Sequence, residues 1–560
     1  TTGAAAGVIY TSNASLLHTY GVQNTFLGEN AGNFVMSGTN NTAMGDSSLA
    51  ASTSGEYNTA LGSDSLMSTT TGRFNTALGS GAMASNTSGQ ENVAVGIAAL
   101  SSNTASSYNT AIGVGALSRT LSGGSNTAVG YQSLFLNTAD SNIGIGYRSL
   151  YSNTTGSTNI AMGNSALYNN TSGVNNTAIG SSAGYNNSIR NNNVLVGSFA
   201  GYNNTASNIT FVGTQAGYEN IGWSNTFLGY LAGRSNTTGL RNTFIGDRAG
   251  NSNIDGGYNT FVGDIAGALN TSGTRNTFFG QGAGNQNTTG GLNSYFGEKA
   301  GSSNVSSGSN TFIGNRAGQS TTGSHNTFLG SYAGNETSSG SQNVYIGTFT
   351  GRSNATGFYN VFVGNHSGQN NLSGGNNVFL GYSAGANETG SNKLYIENSS
   401  GAVPLIYGDF FTDRIGLGTT NPLQTLHIGG TGNMQFGDSV VSPGGKLRVN
   451  LADADTESQA IKAMVTRTTG NNYGVNGTAT GAGATKNVGL YGWAQNATTN
   501  WGLWVDVGNA IFDENVGIGT QNPGYQLELS LDSAAKPGTS TWTIASDARL
   551  KKNITPLQGS

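Results

Sequence analysis

The sequence predicts an all-β protein whose bulk is an elongated β-solenoid or β-roll of about 22 coils, with sixteen or seventeen residues in each. Three observations predict it. A glycine recurs at a fixed pitch, the strand around it is apolar on both faces, and all six prolines lie beyond residue 400, where they cannot interrupt the ladder hydrogen bonds of the repeats.

The repeated phrase is clearest at Asn242-Thr-Phe-Ile-Gly-Asp-Arg-Ala-Gly250, and the glycine closing its first half falls at Gly28, Gly45, Gly62 and onward to Gly364 and Gly381. Twenty-two copies follow one another at the interval that separates Gly28 from Gly45, shortened by one residue in only four of the twenty-one steps, so the spacing is a structural pitch. A unit this short cannot hold two helices and a turn. Its Asn, Thr, Gly and β-branched residues also oppose helix, so each copy reads as one coil. Stacked at a strand spacing of about 4.8 Å, the coils make a rod on the order of 105 Å long, which is the geometry of a spacer.

Within the phrase, two adjacent positions are apolar: Phe244 and Ile245, Phe261 and Val262, Phe328 and Leu329. Neighbouring strand residues point to opposite faces, so one looks into the coil and the other needs an outside partner. The simplest partner is the same strand in a sister chain, and the reading is a homotrimer with this strand nearest the axis. Two positions six residues apart also trade volume. Early copies pair small with large, as in Ala43 with Leu49 and Ala111 with Leu117, whereas Phe26 with Gly32 and the copies from Leu195 with Gly201 to Phe379 with Gly385 invert the sizes. Close-packed interiors penalise both voids and overpacking, so the two side chains are expected to touch across the coil. Ala178 with Gly184 is small at both positions, at the junction of the two regimes.

Taken in order, residues 1–23 form an N-terminal cap in which Val8, Ile9, Tyr10, Leu16 and Leu17 pack on the open end. Residues 24–391 are the repeat shaft, whose polar stretches, such as Asn236-Thr-Thr-Gly239, read as outer turns carrying side-chain ladders. Residues 392–430 form a transition module containing Ile415-Gly-Leu-Gly-Thr-Thr-Asn-Pro422. A related phrase, Val516-Gly-Ile-Gly-Thr-Gln-Asn-Pro523, lies in a second module at 516–545, and both read as duplicated β-hairpins. Between them, residues 431–515 carry Gly-punctuated aromatic strands such as Trp501-Gly-Leu-Trp504, read as a β core in preference to a sugar-binding groove.

The repeat array resembles the β-roll heads of trimeric autotransporter adhesins and, more closely, the repeats of large bacterial tail-fibre-domain surface proteins, which also carry the Gly-Ile-Gly-Thr-x-Asn-Pro phrase. A second resemblance covers residues 546–560. Ser546-Asp-Ala-Arg-Leu-Lys-Lys-Asn-Ile-Thr-Pro556 is similar to the opening of the chaperone-of-endosialidase domain of phage tailspikes and fibres. That family's domain trimerises the fibre and then cuts itself off. The resemblance implies Ser546 as nucleophile, Ser546-Asp547 as the bond cut, Lys551 as its helper, and a precursor that extends beyond Ser560.

Composition narrows the function. Charged residues are 9% of the chain and the net charge is −4, which gives no electrostatic footprint for nucleic acid or an anionic membrane. No run of about 18 apolar residues is present, so no membrane insertion is expected. Gly and Pro together make about 17% of the chain, below the range of low-complexity disorder. The chain has no cysteine, so there is neither a disulfide framework nor a thiolate metal site. His18, His325, His366 and His427 are far apart, and Asp247, Asp255 and Asp264 lack the pairing a glycosidase needs, so no metal or cofactor site is expected. The expectation is a non-enzymatic, extracellular, trimeric fibre or adhesin that binds a cell-surface glycan or protein receptor. A polysaccharide-degrading tailspike and a purely structural filament subunit are the alternatives.

Overall fold

The computed structural model describes residues 14–429 and the strands at 9–11, 516–518 and 527–529, which fall in two compact units, Thr1–Gly432 and Asn433–Ser560. All the regular structure among the described residues is β. Val8, residues 431–515 and residues 546–560, with Ser546, Asp547 and Lys551, lie outside the described residues.

Twenty-two three-residue strands, from β3 (Thr25–Leu27) to β24 (Val378–Leu380), stack in parallel and in register. Thr243 pairs with Thr260, Phe244 with Phe261 and Ile245 with Val262, so the register advances by one full repeat per strand. The step from Thr127 to Ile143 is one residue shorter. The pitch read from glycine is therefore the rise of one coil. Where a coil is one residue short, the deletion falls in the turn. Asn153 Nδ2 donates to the carbonyl of Gly156, three residues on, but in the short coil Asn137 reaches Ala139 after two.

The middle residue of each strand points inward and is buried; the first and third point out. From Phe211 to Phe379 these inward residues form one column of eleven aromatic rings, with centroids 4.5–5.0 Å apart and planes within 12° of parallel. Its two tyrosines, Tyr295 and Tyr345, bury hydroxyls that have no hydrogen-bond partner. The volume trade is a contact. A Cβ on Gly250 would lie 2.5 Å from Phe244 Cε2, and one on Gly184 would meet Leu195 of the next coil and Leu167 of the one before. Leu167 and Leu195 thus fill the space that Ala178 and Gly184 leave.

The later position of the pair also has left-handed backbone: φ is +56° at Gly250. Eight early coils place Leu or Met there, from Leu49 to Leu167, at φ between 49° and 54°. Such residues are strained by about 1–3 kcal/mol each, a cost held in place by coil-to-coil hydrogen bonds on both sides. Leu49 donates to the Ser65 carbonyl at 3.0 Å and Ala51 to that of Met67 at 3.0 Å, so this irregular wall is as continuously bonded as the strand wall.

A hydroxyl ladder runs along the outer turns, where Thr237 Oγ1 donates to the Ile254 carbonyl at 2.9 Å and Thr288 Oγ1 to that of Val305 at 3.0 Å, but the Asn ladders lie inside the coil, which corrects their expected place. The Asn preceding each strand, present in twenty-one of twenty-two coils with Ile209 the exception, is at most 2% exposed. Asn259 accepts the N–H of Asn276 at 2.9 Å and donates to the carbonyl of Gly273 at 2.8 Å, so one amide joins two coils and closes its own turn. A second buried ladder runs through the turn residues themselves: Asn253 donates to Asn236 and Asn270 to Asn253, each at 2.6 Å.

The N-terminal end continues the sheet with an antiparallel pair, β1 (Ile9–Thr11) and β2 (Ala14–His18), the latter antiparallel to β3. The buried residue that closes the core is His18, with Leu17 half-buried beside it. Its ring lies 4.7 Å from Phe26 and stacks on Phe34 at 4.2 Å, and its Nε2 meets the Ala31 carbonyl at 2.6 Å, while Leu16 is exposed. At the other end β25 (Lys393–Ile396) pairs in parallel with β24, and β26 (Ile406–Asp409) and β27 (Arg414–Leu417) turn back antiparallel. Lys393 and Asp409 form an ion pair of 3.1 Å across that return. β27 then pairs in parallel with β28 (Leu426–Ile428), matching Ile415 to Leu426. In the second unit β29 (Val516–Ile518) and β30 (Leu527–Leu529) also pair in parallel, matching Val516 to Leu527. The expected hairpins are thus corrected: each related phrase starts a parallel pair, and the step from one strand to the next is the same in both.

Candidate interaction surfaces

The third strand residue stands outward in every coil, from Leu27 to Leu380, and is Leu, Ile, Val, Met or Phe throughout. Parallel register stacks these side chains into one ridge, flanked by the first strand position, which is Thr in fourteen of the twenty-two coils and Val, Ile or Ser in the others. The ridge is open to solvent in the single chain: Met44 is 46% exposed, Leu228 45% and Phe279 55%. No charged residue occupies it. Contiguous apolar surface of this extent is unusual on a single chain in water, where exposed apolar residues are normally scattered singly.

A second surface lies on the irregular wall. Phe135, Tyr151, Tyr168, Tyr185, Tyr202 and Tyr218 stack with centroids 5.1–5.2 Å apart and planes within 14° of parallel. Beside them Asn169, Asn186, Asn203 and Glu219 form a row of hydrogen bonds, each 2.8 Å long. The rings spend their faces on one another and turn edges and hydroxyls to solvent, so this stripe offers hydrogen bonds at a regular pitch, not stacking platforms.

The titratable side chains do not converge. Among the described residues no three His, Cys, Asp or Glu side chains are grouped as a metal site would need. His366 Nδ1 meets Gln369 Oε1, and His427 Nδ1 accepts the Leu423 N–H at 3.3 Å, so each is held locally. The shallow groove over Glu56, Arg73, Gln90 and Ser107 is a row of equivalent turn residues, with Arg73 Nε donating to Gln90 at 2.6 Å. The sequence reading missed the aromatic stripe, although its signal was available: in six successive coils a Tyr or Phe stands at the same place, always eight residues after the strand begins.

No protein-family model matches the chain, and no curated protein or solved structure matches it.

Proposed function

We propose that the chain forms the shaft of a homotrimeric extracellular fibre or adhesin, which spaces and presents a surface for attachment to cells or to other fibres. The observation that carries this reading is the uncharged apolar ridge on the outward face of the strands. Its rungs repeat at the coil rise over the whole shaft, and a partner that meets every rung needs the same rise, which a sister chain has by construction. Three copies, in preference to two, follow from the resemblance to trimeric adhesin heads and fibres. The two equally stepped parallel pairs, Ile415 with Leu426 and Val516 with Leu527, are in this reading copies of one small β module. The receptor is a cell-surface glycan or protein, and the chain acts without turnover chemistry. The one chemical event is a single self-cleavage of a longer precursor between Ser546 and Asp547, with Ser546 as nucleophile and Lys551 as the base.

The absence of cysteine makes the axis directly testable. Ile245→Cys, on the ridge, is expected to join chains through a short bismaleimide, while Asp255→Cys, on the exposed turn, leaves them separate. Equal cross-linking at the two positions, or none at Ile245, contradicts the reading. For the tail, Ser546→Ala is expected to leave a longer precursor whole where wild type splits, as read by mass spectrometry.

A further inference from the structure

One external column combines aromatic rings with arginines in strict alternation. Trp223 lies 4.7 Å under the Arg241 guanidinium, Tyr258 lies 5.4 Å beyond it, and Arg275 covers the far side of Tyr258 at 5.6 Å. Arg241 Nη1 also donates to the Tyr258 hydroxyl at 2.9 Å. Both rings are nearly half exposed, so the column stands on the surface. Elsewhere on the shaft Arg316 covers the one ring of Tyr332, and Arg148 alone lies among several, Tyr131, Tyr147 and Tyr151, with no second arginine on the same rings.

Neither Arg241 nor Arg275 has a carboxylate partner among the described residues, whose ion pairs are Lys299 with Glu298, Arg352 with Glu336 and Lys393 with Asp409. In a chain with only 9% charged residues, two unpaired guanidiniums aligned on one column form a concentrated positive feature. The rings flank the guanidiniums, and although one N–H of Arg241 is spent on the Tyr258 hydroxyl, both exposed arginines keep further N–H donors that can fork a carboxylate. Arg241 and Arg275 are two coils apart, hence about 9.6 Å along the rod axis, close to the length of two linked pyranose rings. The column precedes the ridge by four residues in each coil, Arg241 against Ile245 and Tyr258 against Val262, so it flanks the proposed axis without being part of it.

We infer that Trp223, Arg241, Tyr258 and Arg275 form a binding site for an acidic polysaccharide that carries a carboxylate on every second sugar and lies parallel to the shaft. This rests on the attachment reading above and names a ligand class for it.

The test is titration of the full chain with a hyaluronan decasaccharide and with its carboxyl-reduced analogue, followed by Trp fluorescence and surface plasmon resonance. The intact oligosaccharide is expected to bind, more weakly as salt rises, and the reduced one not to bind. Arg241→Gln and Arg275→Gln should each weaken binding about two- to fivefold, as exposed ion pairs do, with the double variant weaker still and the thermal melt unchanged. Arg275→Lys keeps the charge but loses the planar fork, so it should bind more weakly than wild type and more tightly than Arg275→Gln. Absence of binding to the intact oligosaccharide, or equal binding of the two oligosaccharides, overturns the inference. If cells are still bound normally by the Arg241→Gln/Arg275→Gln chain, the column is refuted as the attachment site and the attachment reading stands. Hyaluronan binding by a chain that attaches to no cell or fibre would do the reverse.

Discussion

The ring of Phe244 occupies the space in which a side chain on Gly250 would stand: a Cβ there would be 2.5 Å from Cε2. Gly250 also has left-handed backbone, with φ at +56°. Two independent demands therefore meet on one residue. Gly250→Leu is expected to lower stability by about 1–3 kcal/mol through overpacking and by about a further 1 kcal/mol through the backbone.

The inverse regime gives the sharper test of shared space. Ala111 and Leu117 are both fully buried, with Leu117 at φ 51°. Ala111→Phe alone should destabilise the chain, and adding Leu117→Gly should recover much of the loss by making room and relieving the left-handed leucine. Chemical unfolding of the two single variants and the double variant decides it. Strictly additive effects would mean that the two positions do not share a pocket.

The buried hydroxyl of Tyr295 is a second weak point in the aromatic column. Burial pushes its phenol far above the ordinary range; the nearby Asn310 amide offsets this only in part, and no hydrogen bond is completed between them. Tyr295→Phe keeps the stack with Phe278 and Phe312 and removes an unsatisfied polar atom, so stability should rise by about 1 kcal/mol or more and the unfolding midpoint with it. A clear fall in the midpoint would show that the hydroxyl has a partner.

The Asn ladder should respond in the opposite sense. Asn259→Ala leaves the Asn276 N–H and the Gly273 carbonyl without their side-chain partner, at about 1–3 kcal/mol for each buried group. Hydrogen exchange at Asn276 and its neighbours should quicken, while coils many turns away keep their protection, because each repeat contacts only the next.

The pitch, the strand and the Phe244–Gly250 trade were legible in the sequence because each is a matter of phase or volume. The position of Asn236 and Asn253 was not. Polar turn composition reads as surface, and the partners that make burial tolerable are amides one coil away, which a single repeat does not display. The near-invariant Asn before each strand was the available signal, since a solvent-exposed position has no reason to exclude every other residue in twenty-one of twenty-two coils. His18 escaped for a different reason: a lone histidine carries no periodicity, and its role as a lid over Phe26 and Phe34 arises only where the stack ends. The parallel pairing of Ile415 with Leu426 was hidden because a short strand–turn–strand phrase does not specify the direction of return.

His18 also makes the N-terminal lid sensitive to acid. Burial of the ring, 1% exposed, holds its pKa below the ordinary value, and the hydrogen bond to Ala31 opposes this only in part. The folded state therefore favours the neutral ring. Its contribution is complete above the ordinary value of about 6.5 and is lost as pH falls through the depressed folded value. Protection factors of the β2 and β3 amides, which remove the intrinsic pH dependence of exchange, should fall on moving from pH 8 to pH 5 in wild type, more than in His18→Phe. The same pH response in both proteins would assign the effect to another group.

The central claim is that the ridge from Leu27 to Leu380 is covered by sister chains. The most direct measurement is the mass of the natively folded full chain by light scattering, extended to low protein concentration. The account predicts a particle of three chains of 57.0 kDa that does not dissociate without unfolding. A folded monomer with its ridge in water would contradict it.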